Sequence, residues 1–259
     1  MREVALVTGA SGGIGEDLAR LVAAGGRDLV LVARSAPKLQ ALADQLSRAH
    51  DITATILAQD LSEPDAANKV ARLLAERQVT IDVLVNNAGF GTFGEFAREN
   101  PEEQARMLQL NIVTLTSLTR FLLPGMLERR RGRVLNVAST AAFQPGPRMA
   151  VYYASKAYVM SLSLALTEET AKTGVTVTCL CPGPTRTGFQ ERAQMGKSRL
   201  FQMTSVMSSA DAARAGYNAM MAGRALVVPG IANKIGGQAV RFVPRRVAAK
   251  IAGALNVEH

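Results

Sequence analysis

The stretch VYYASKAYV, residues 151–159, sets two phenols beside an ammonium. On a helix, Tyr152 and Lys156 are four residues apart and share a face, while Tyr153 is turned by about 100° and lies three residues from the same lysine. A free phenol, with a pKa of about 10, exchanges protons sluggishly at neutral pH, and a neighbouring cation favours its ionised form. A phenol tuned in this way can give a proton to a carbonyl oxygen or take it back from an alcohol. Spacing alone does not choose between Tyr152 and Tyr153. Ser139, at the end of the run RVLNVAS, adds a hydroxyl that can hydrogen-bond the same substrate oxygen.

A second constellation points to a dinucleotide. Thr8-Gly9-Ala10-Ser11-Gly12-Gly13-Ile14-Gly15 follows the first apolar run and precedes a helical pattern. Gly9, Gly13 and Gly15 allow a tight turn and a close approach of backbone N–H groups to a pyrophosphate, with Ser11 and Ile14 at the opening of the helix and its positive dipole end. The spacing is G-x-x-x-G-x-G, not the commoner G-x-G-x-x-G. After the second run stand Arg34 and Ser35, where a site that prefers NAD has an acid for the ribose 2′-hydroxyl. A guanidinium there suits the 2′-phosphate of NADP. Asp60 and Leu61, after the third run, are placed to reach the adenine.

These residues need a scaffold, and the chain supplies one. Short, nearly continuous apolar runs at 4–7, 29–33, 53–57, 83–86, 133–137, 176–180 and 225–228 alternate with helical patterns at 14–24, 37–49, 64–78, 101–123, 151–173 and 210–222. That rhythm predicts an α/β fold, a single Rossmann-type domain with a doubly wound parallel sheet and helices on both faces. Ligands of such sheets bind beyond the carboxyl ends of the strands. The segments that follow the strands here, TGASGGIG, ARS, QDLS, NNAGFG, ASTAAFQ and CPGPTRTGF, are rich in Gly, Asn, Ser and Thr and line one rim.

Composition narrows the classes. Of the 259 residues, 48% are apolar, enough for a large core. No uncharged run approaches a membrane span, and the amino terminus is not patterned as a signal peptide. Two histidines and two cysteines, Cys179 and Cys181, are too few for a Cys/His metal site, and the i, i+2 spacing of the thiols is poor for a disulfide. Buried free thiols in a reducing compartment, and hence a cytoplasmic protein, are expected. The net charge of +9 allows an anionic ligand or surface, but with 5% aromatics and no tryptophan there is little stacking surface, and no nucleic-acid partner is expected.

The motif set TGASGGIG, NNAG, Asn111 in LQLNIV, Ser139, Y-x-x-x-K and PGPTRT, in this order, resembles the short-chain dehydrogenase/reductase family over roughly residues 3–190. The resemblance selects Tyr152 as the tyrosine that opens Y-x-x-x-K, leaving Tyr153 as a packing or pocket-wall residue. It implies Tyr152 as acid/base, Lys156 lowering its pKa and holding the nicotinamide ribose, Ser139 steadying the carbonyl oxygen and Asn111 holding a water. It further implies Asn87, Ala88 and Gly89 beside the ribose and Pro182, Gly183, Thr185 and Thr187 around the nicotinamide. Members of the family often carry a second Ser or a basic residue at the position of Gly12, so a preference for NADP rests here mainly on Arg34. Expected substrates are apolar ketones, aldehydes, 3-oxoacyl groups or the matching alcohols, and a homo-oligomer is expected, although the tail 229–259 departs from the common tetrameric reductases. A dinucleotide-binding scaffold without turnover is the alternative. Residues 188–208, with Phe189, Met195, Phe201, Met203 and Met207, are expected to form a lid, and Phe90, Phe93, Phe143 and Met149 to add to the pocket. The basic, apolar tail around 241–250 suits a subunit contact better than a membrane surface.

Overall fold

Six strands of five residues or so arise where the sequence is almost wholly apolar: β1 (Val4–Thr8), β2 (Asp28–Ala33), β3 (Ala54–Ala58), β4 (Val83–Asn86), β5 (Gly132–Val137) and β6 (Val175–Leu180). In the computed structural model, which describes residues 2–188 and 206–256, they join two-residue pieces β7 (Thr185–Arg186), β8 (Met207–Ser208) and β9 (Leu226–Val227). The main sheet is parallel throughout, in the order β3-β2-β1-β4-β5-β6-β9, and β7 pairs with β8 apart from it. The order reverses between β1 and β4, and such a reversal opens a crevice at the carboxyl ends of the strands. Thr8 pins that crevice: its Oγ1 accepts from the backbone N–H groups of Asn87 (2.9 Å) and Ala88 (3.0 Å) and donates to Val85 O.

Alternate strand residues face opposite layers. Val7, Leu31 and Val85 pack under α1 (Gly13–Ala24), α2 (Ala36–His50) and α7 (Ser209–Met221) through Leu18, Leu39 and Met220. Leu6, Val30 and Leu84 pack on the other side with Val70 of α3 (Ala66–Glu76), Met107 of α4 (Pro101–Leu108) and Leu118 of α5 (Leu115–Glu128). Apolar cover on both faces is why these strands lack the in/out alternation of a half-exposed sheet.

Between α4 and α5 the helix widens into a π turn, Gln109–Thr114, that carries Asn111. The combined helix, Pro101–Glu128, is long and apolar enough to cross a membrane by length and composition. Here it lies along the sheet, with Met107, Leu118 and Met126 fully buried. The helix also runs past the expected stop at Leu123, through Pro124. A proline in a helix interior costs about 3 kcal/mol, and the burial of Met126 beyond it, worth about 1.5–3 kcal/mol, offsets much of that cost.

α6 (Ala150–Glu169) buries Tyr153, Ser155, Lys156, Val159 and Ser163. Two helices not expected from the sequence close the chain: α8 (Ile231–Ala239) and α9 (Arg245–Leu255). Deep between the layers, Asn86 Nδ2 donates to Thr119 Oγ1 (3.0 Å) and Asn136 Oδ1 (2.9 Å), and Asn136 Nδ2 donates to Ser163 Oγ (3.0 Å). This polar line ties β4 and β5 to α5 and α6, the elements that carry the site.

Removing one member strands another. Asn86→Ala leaves Asn136 Oδ1 buried without its donor, and we expect a loss of about 1–3 kcal/mol in denaturant unfolding; an unchanged midpoint and slope would show that the line contributes nothing to stability.

Candidate active site

A cavity of about 540 Å³ opens along the carboxyl edge of the sheet, from Gly9 and Arg34 at one end to Tyr152 and Lys156 at the other. At the first end the Gly-rich turn is shaped by contact as well as by backbone freedom. Gly9 sits at φ +67°, and a Cβ there would lie 2.7 Å from Asn87 Nδ2; a Cβ on Gly15 would collide with the Gly9 carbonyl and the Asn87 amide. Asn87 Nδ2 itself donates to the carbonyls of Thr8 (3.0 Å) and Gly9 (3.3 Å), so the β1 and β4 ends form one block. Gly12, which precedes α1, supplies no side-chain cap, so N–H groups of the first turn remain available to an anion in the cavity that Gly13 and Ile14 line. These features fit a pyrophosphate.

Arg34, exposed, and Lys38, one turn further along α2, both line this end of the cavity. Lys38 is not among the residues singled out from the sequence; its place in the first turn of the helix that follows Arg34 was the available signal. Asp60 also lines the cavity, and its carboxylate is already engaged: it accepts from Ser62 Oγ (2.6 Å), Ser62 N (2.9 Å) and Arg106 Nη2 (2.9 Å). Burial pushes this carboxyl up, but the Ser62 hydrogen bonds, followed by Arg106 and Arg34, outweigh it and hold the group below its ordinary range. Asp60 is therefore a fixed anion that shapes the turn around Leu61.

At the other end three elements converge. Ser139 follows β5 in extended backbone and caps the 3₁₀ turn Thr140–Phe143, its Oγ accepting from Ala141 N (3.1 Å). The same hydroxyl hydrogen-bonds the Tyr152 phenol. Lys156 is buried; its Nζ donates to Val137 O (2.9 Å) and lies 5.8 Å from the centre of the Tyr152 ring. Burial pulls the Lys156 ammonium down to about 8, against the opposing pull of the Cys179 and Cys181 side chains. Burial also pushes the Tyr152 phenol up, and the Ser139 hydrogen bond only partly offsets it. Loss of water by the phenolate sets this upward direction, where the resemblance implies a lowering by Lys156; the ammonium stands over the ring while bonded to a carbonyl.

Asn111 stands behind this cluster. Its amide donates to Phe90 O (2.9 Å) and Ser155 Oγ (3.0 Å) and accepts from Phe90 N (3.2 Å). A Cβ on Gly89 would lie 3.1 Å from Asn111 Oδ1 and 3.3 Å from Lys156 Nζ, so a side chain there would press on both groups where they meet the loop after β4. Tyr153 points to the wall and its hydroxyl lies 3.5 Å from Asn256 Nδ2, at the end of α9.

Of the site residues picked from the sequence, all except Gly15, Ser35 and Asn111 line the cavity. Gly15 supports the turn from within α1, and Ser35 precedes α2 at its N-cap position. Phe90 and Met149 line the cavity as expected, while Phe93 packs on the Met149–Tyr153 cluster and Phe143 rests against Gly237. The lid residues Phe189, Met195, Phe201 and Met203 lie outside the described residues. Among the described residues no group of three or more potential metal ligands occurs.

A cleft with a cradle that fits a dinucleotide at one end and a phenol bonded to a serine at the other suits an oxidoreductase. Comparison with known proteins agrees. Residues 3–197 match the short chain dehydrogenase family. The oxidoreductase UcpA of Escherichia coli is 34% identical over 191 residues, covering 73% of this chain and 72% of that protein. A short-chain dehydrogenase from Sphingobium yanoikuyae in complex with NADPH superimposes with a TM-score of 0.84 at 31% identity, covering 93% and 92% of the two chains. The bulky-bulky ketone specific alcohol dehydrogenase from Comamonas testosteroni gives a TM-score of 0.78 at 27% identity, covering 95% and 96%. The chain belongs to the short-chain dehydrogenase/reductase family and is an NAD(P)-dependent oxidoreductase.

Proposed function

We propose that the protein is an NADPH-dependent carbonyl reductase whose substrate is an apolar ketone, aldehyde or 3-oxoacyl group, or in reverse the matching alcohol. The observation that carries this reading is the Tyr152 phenol, half-buried, bonded to Ser139 and faced by the Lys156 ammonium at the inner end of a cleft that fits a dinucleotide. Bound in the cleft, the nicotinamide supplies the hydride. The protein's own part is to hold and move a proton. Ser139 and Tyr152 present two hydroxyls to one oxygen, which fixes the carbonyl's direction and polarises it. Tyr152 Oη then gives its proton as negative charge builds on that oxygen. The phenolate left behind is the species that a nearby ammonium stabilises, so the attraction between Lys156 and Tyr152 is strongest late in the reaction, where it accelerates the chemical step.

An apolar substrate follows from the wall beside these hydroxyls, where Phe90, Leu110, Met149 and Tyr153 meet the cavity. The ketone specificity named for the Comamonas testosteroni enzyme is in keeping with it. NADPH over NADH follows from Arg34 and Lys38, two cations at the adenosine end, where the engaged Asp60 is the one acid among the described lining residues. Self-association through the outer face of α5 and α6 is part of the proposal, because Phe121, Tyr158 and Leu164 are exposed there.

Two measurements test this reading. Tyr152→Phe is expected to lower kcat for NADPH-dependent ketone reduction by about 10²–10⁴-fold with little change in NADPH affinity; equal rates in the two proteins would remove the mechanism. Arg34→Asp is expected to weaken kcat/KM for NADPH by about tenfold or more while leaving NADH within a few-fold. Unchanged discrimination between the cofactors would mean that the 2′-phosphate is not read by Arg34.

A further inference from the structure

The carboxyl-terminal segment turns its large apolar side chains outward. α9 buries Ala248 and Ala252, the small residues, and leaves Val247 and Ile251 in solvent. α8 buries Gly237 and exposes Ile231 and Ile235, the former to 81%. In the turn between them Phe242 is 89% exposed. Packing within the chain does not explain this, because a helix that needed its aliphatic residues for the core would show its alanines to water instead.

Charge follows the same pattern. Ile231 and Ile235 form one line on α8, with Lys234 next to it; Val247 and Ile251 form one line on α9, with Arg246 and Lys250 beside it. Arg245 adds to the exposed cations. No aspartate or glutamate occurs between Asp211 and Glu258, so nothing on these helices offsets the positive field.

We propose that the outer face of α8 and α9 is a docking surface for an anionic lipid bilayer. Paired lines of aliphatic and basic residues match an interfacial helix, whose apolar side enters the acyl boundary while Lys and Arg stay at the anionic headgroups. A second copy of the chain, the occupant that the sequence alone favours for this tail, fits the face less well. A symmetric pairing would set Lys234, Arg245, Arg246 and Lys250 against their own duplicates with no intervening acid, and like charges so placed repel. The surface is anchored to the site it adjoins: Asn233 of α8 lies against Gly183, which lines the cavity, and Asn256, just past α9, donates to Pro147 O (3.0 Å).

The docking needs no catalysis, so it is tested by binding, independently of the proposed reaction. The full chain is floated with vesicles of phosphatidylcholine alone and with equimolar phosphatidylcholine and phosphatidylglycerol. We expect binding to the anionic vesicles at least about tenfold tighter than to the neutral ones, weakened by salt. The variant Ile231→Ser/Phe242→Ser is expected to lose about tenfold in vesicle affinity while its NADPH binding and circular dichroism stay unchanged, which separates a lost contact from a lost fold. No binding to anionic vesicles overturns the proposal, as does equal binding by the folded variant. A self-association abolished by the same two substitutions, without vesicle binding, would overturn it as well and assign the face to a second copy.

Discussion

Burying an ammonium away from water without a carboxylate beside it is costly, and the charge persists only if its surroundings are fixed. Lys156 is held in that way. Its Nζ is bonded to the carbonyl at the end of β5, and burial brings its pKa to about 8, still above neutrality. The parts of the molecule that matter most to the site are those that hold this group in place. The polar line through Asn86, Asn136 and Ser163 fixes α6 against the strands, and the π turn with Asn111 fixes it against the loop after β4. A regular α-helix through Gln109–Thr114 would change the turn on which Asn111 stands and break its paired hydrogen bonds to Phe90.

The pKa directions acquire meaning together. A phenol pushed up by burial is a weak acid on its own, yet it is present in the form that can donate. An ammonium brought to about 8 is still charged at neutral pH. Opposite shifts on adjacent groups are what separates a donor from its stabiliser. In this account the lysine acts on the product of proton transfer, the phenolate, more than on the resting phenol.

Much of this could be read from the sequence, for physical reasons that differ by element. Buried parallel strands announce themselves because both faces must be apolar, and all six longer strands were located within a few residues. α6 was legible from Tyr152 and Lys156 and hardly at all from periodicity, since the face it buries includes Ser155, Lys156 and Ser163. The pattern read at 101–123 stops one residue before Pro124, whereas the helix continues through it to Glu128, with the burial of Met126 offsetting much of the local penalty. α8 and α9 were missed because their buried residues are glycine and alanine and their large side chains face out, the reverse of the usual signal. Spacing reveals the charge beside Tyr152 but not the loss of water around its half-buried phenol, which sets the direction of its shift.

The central claim, that burial keeps Tyr152 as a protonated donor, is open to a direct titration. The chain has four tyrosines and no tryptophan, so phenolate absorbance can be followed against pH without an indole background, and subtracting the trace of Tyr152→Phe isolates one group. The account predicts that the difference trace stays flat through neutrality and rises only above the ordinary phenol value of 10.0. A phenolate that appears near neutral pH in the parent and is absent from Tyr152→Phe would contradict it.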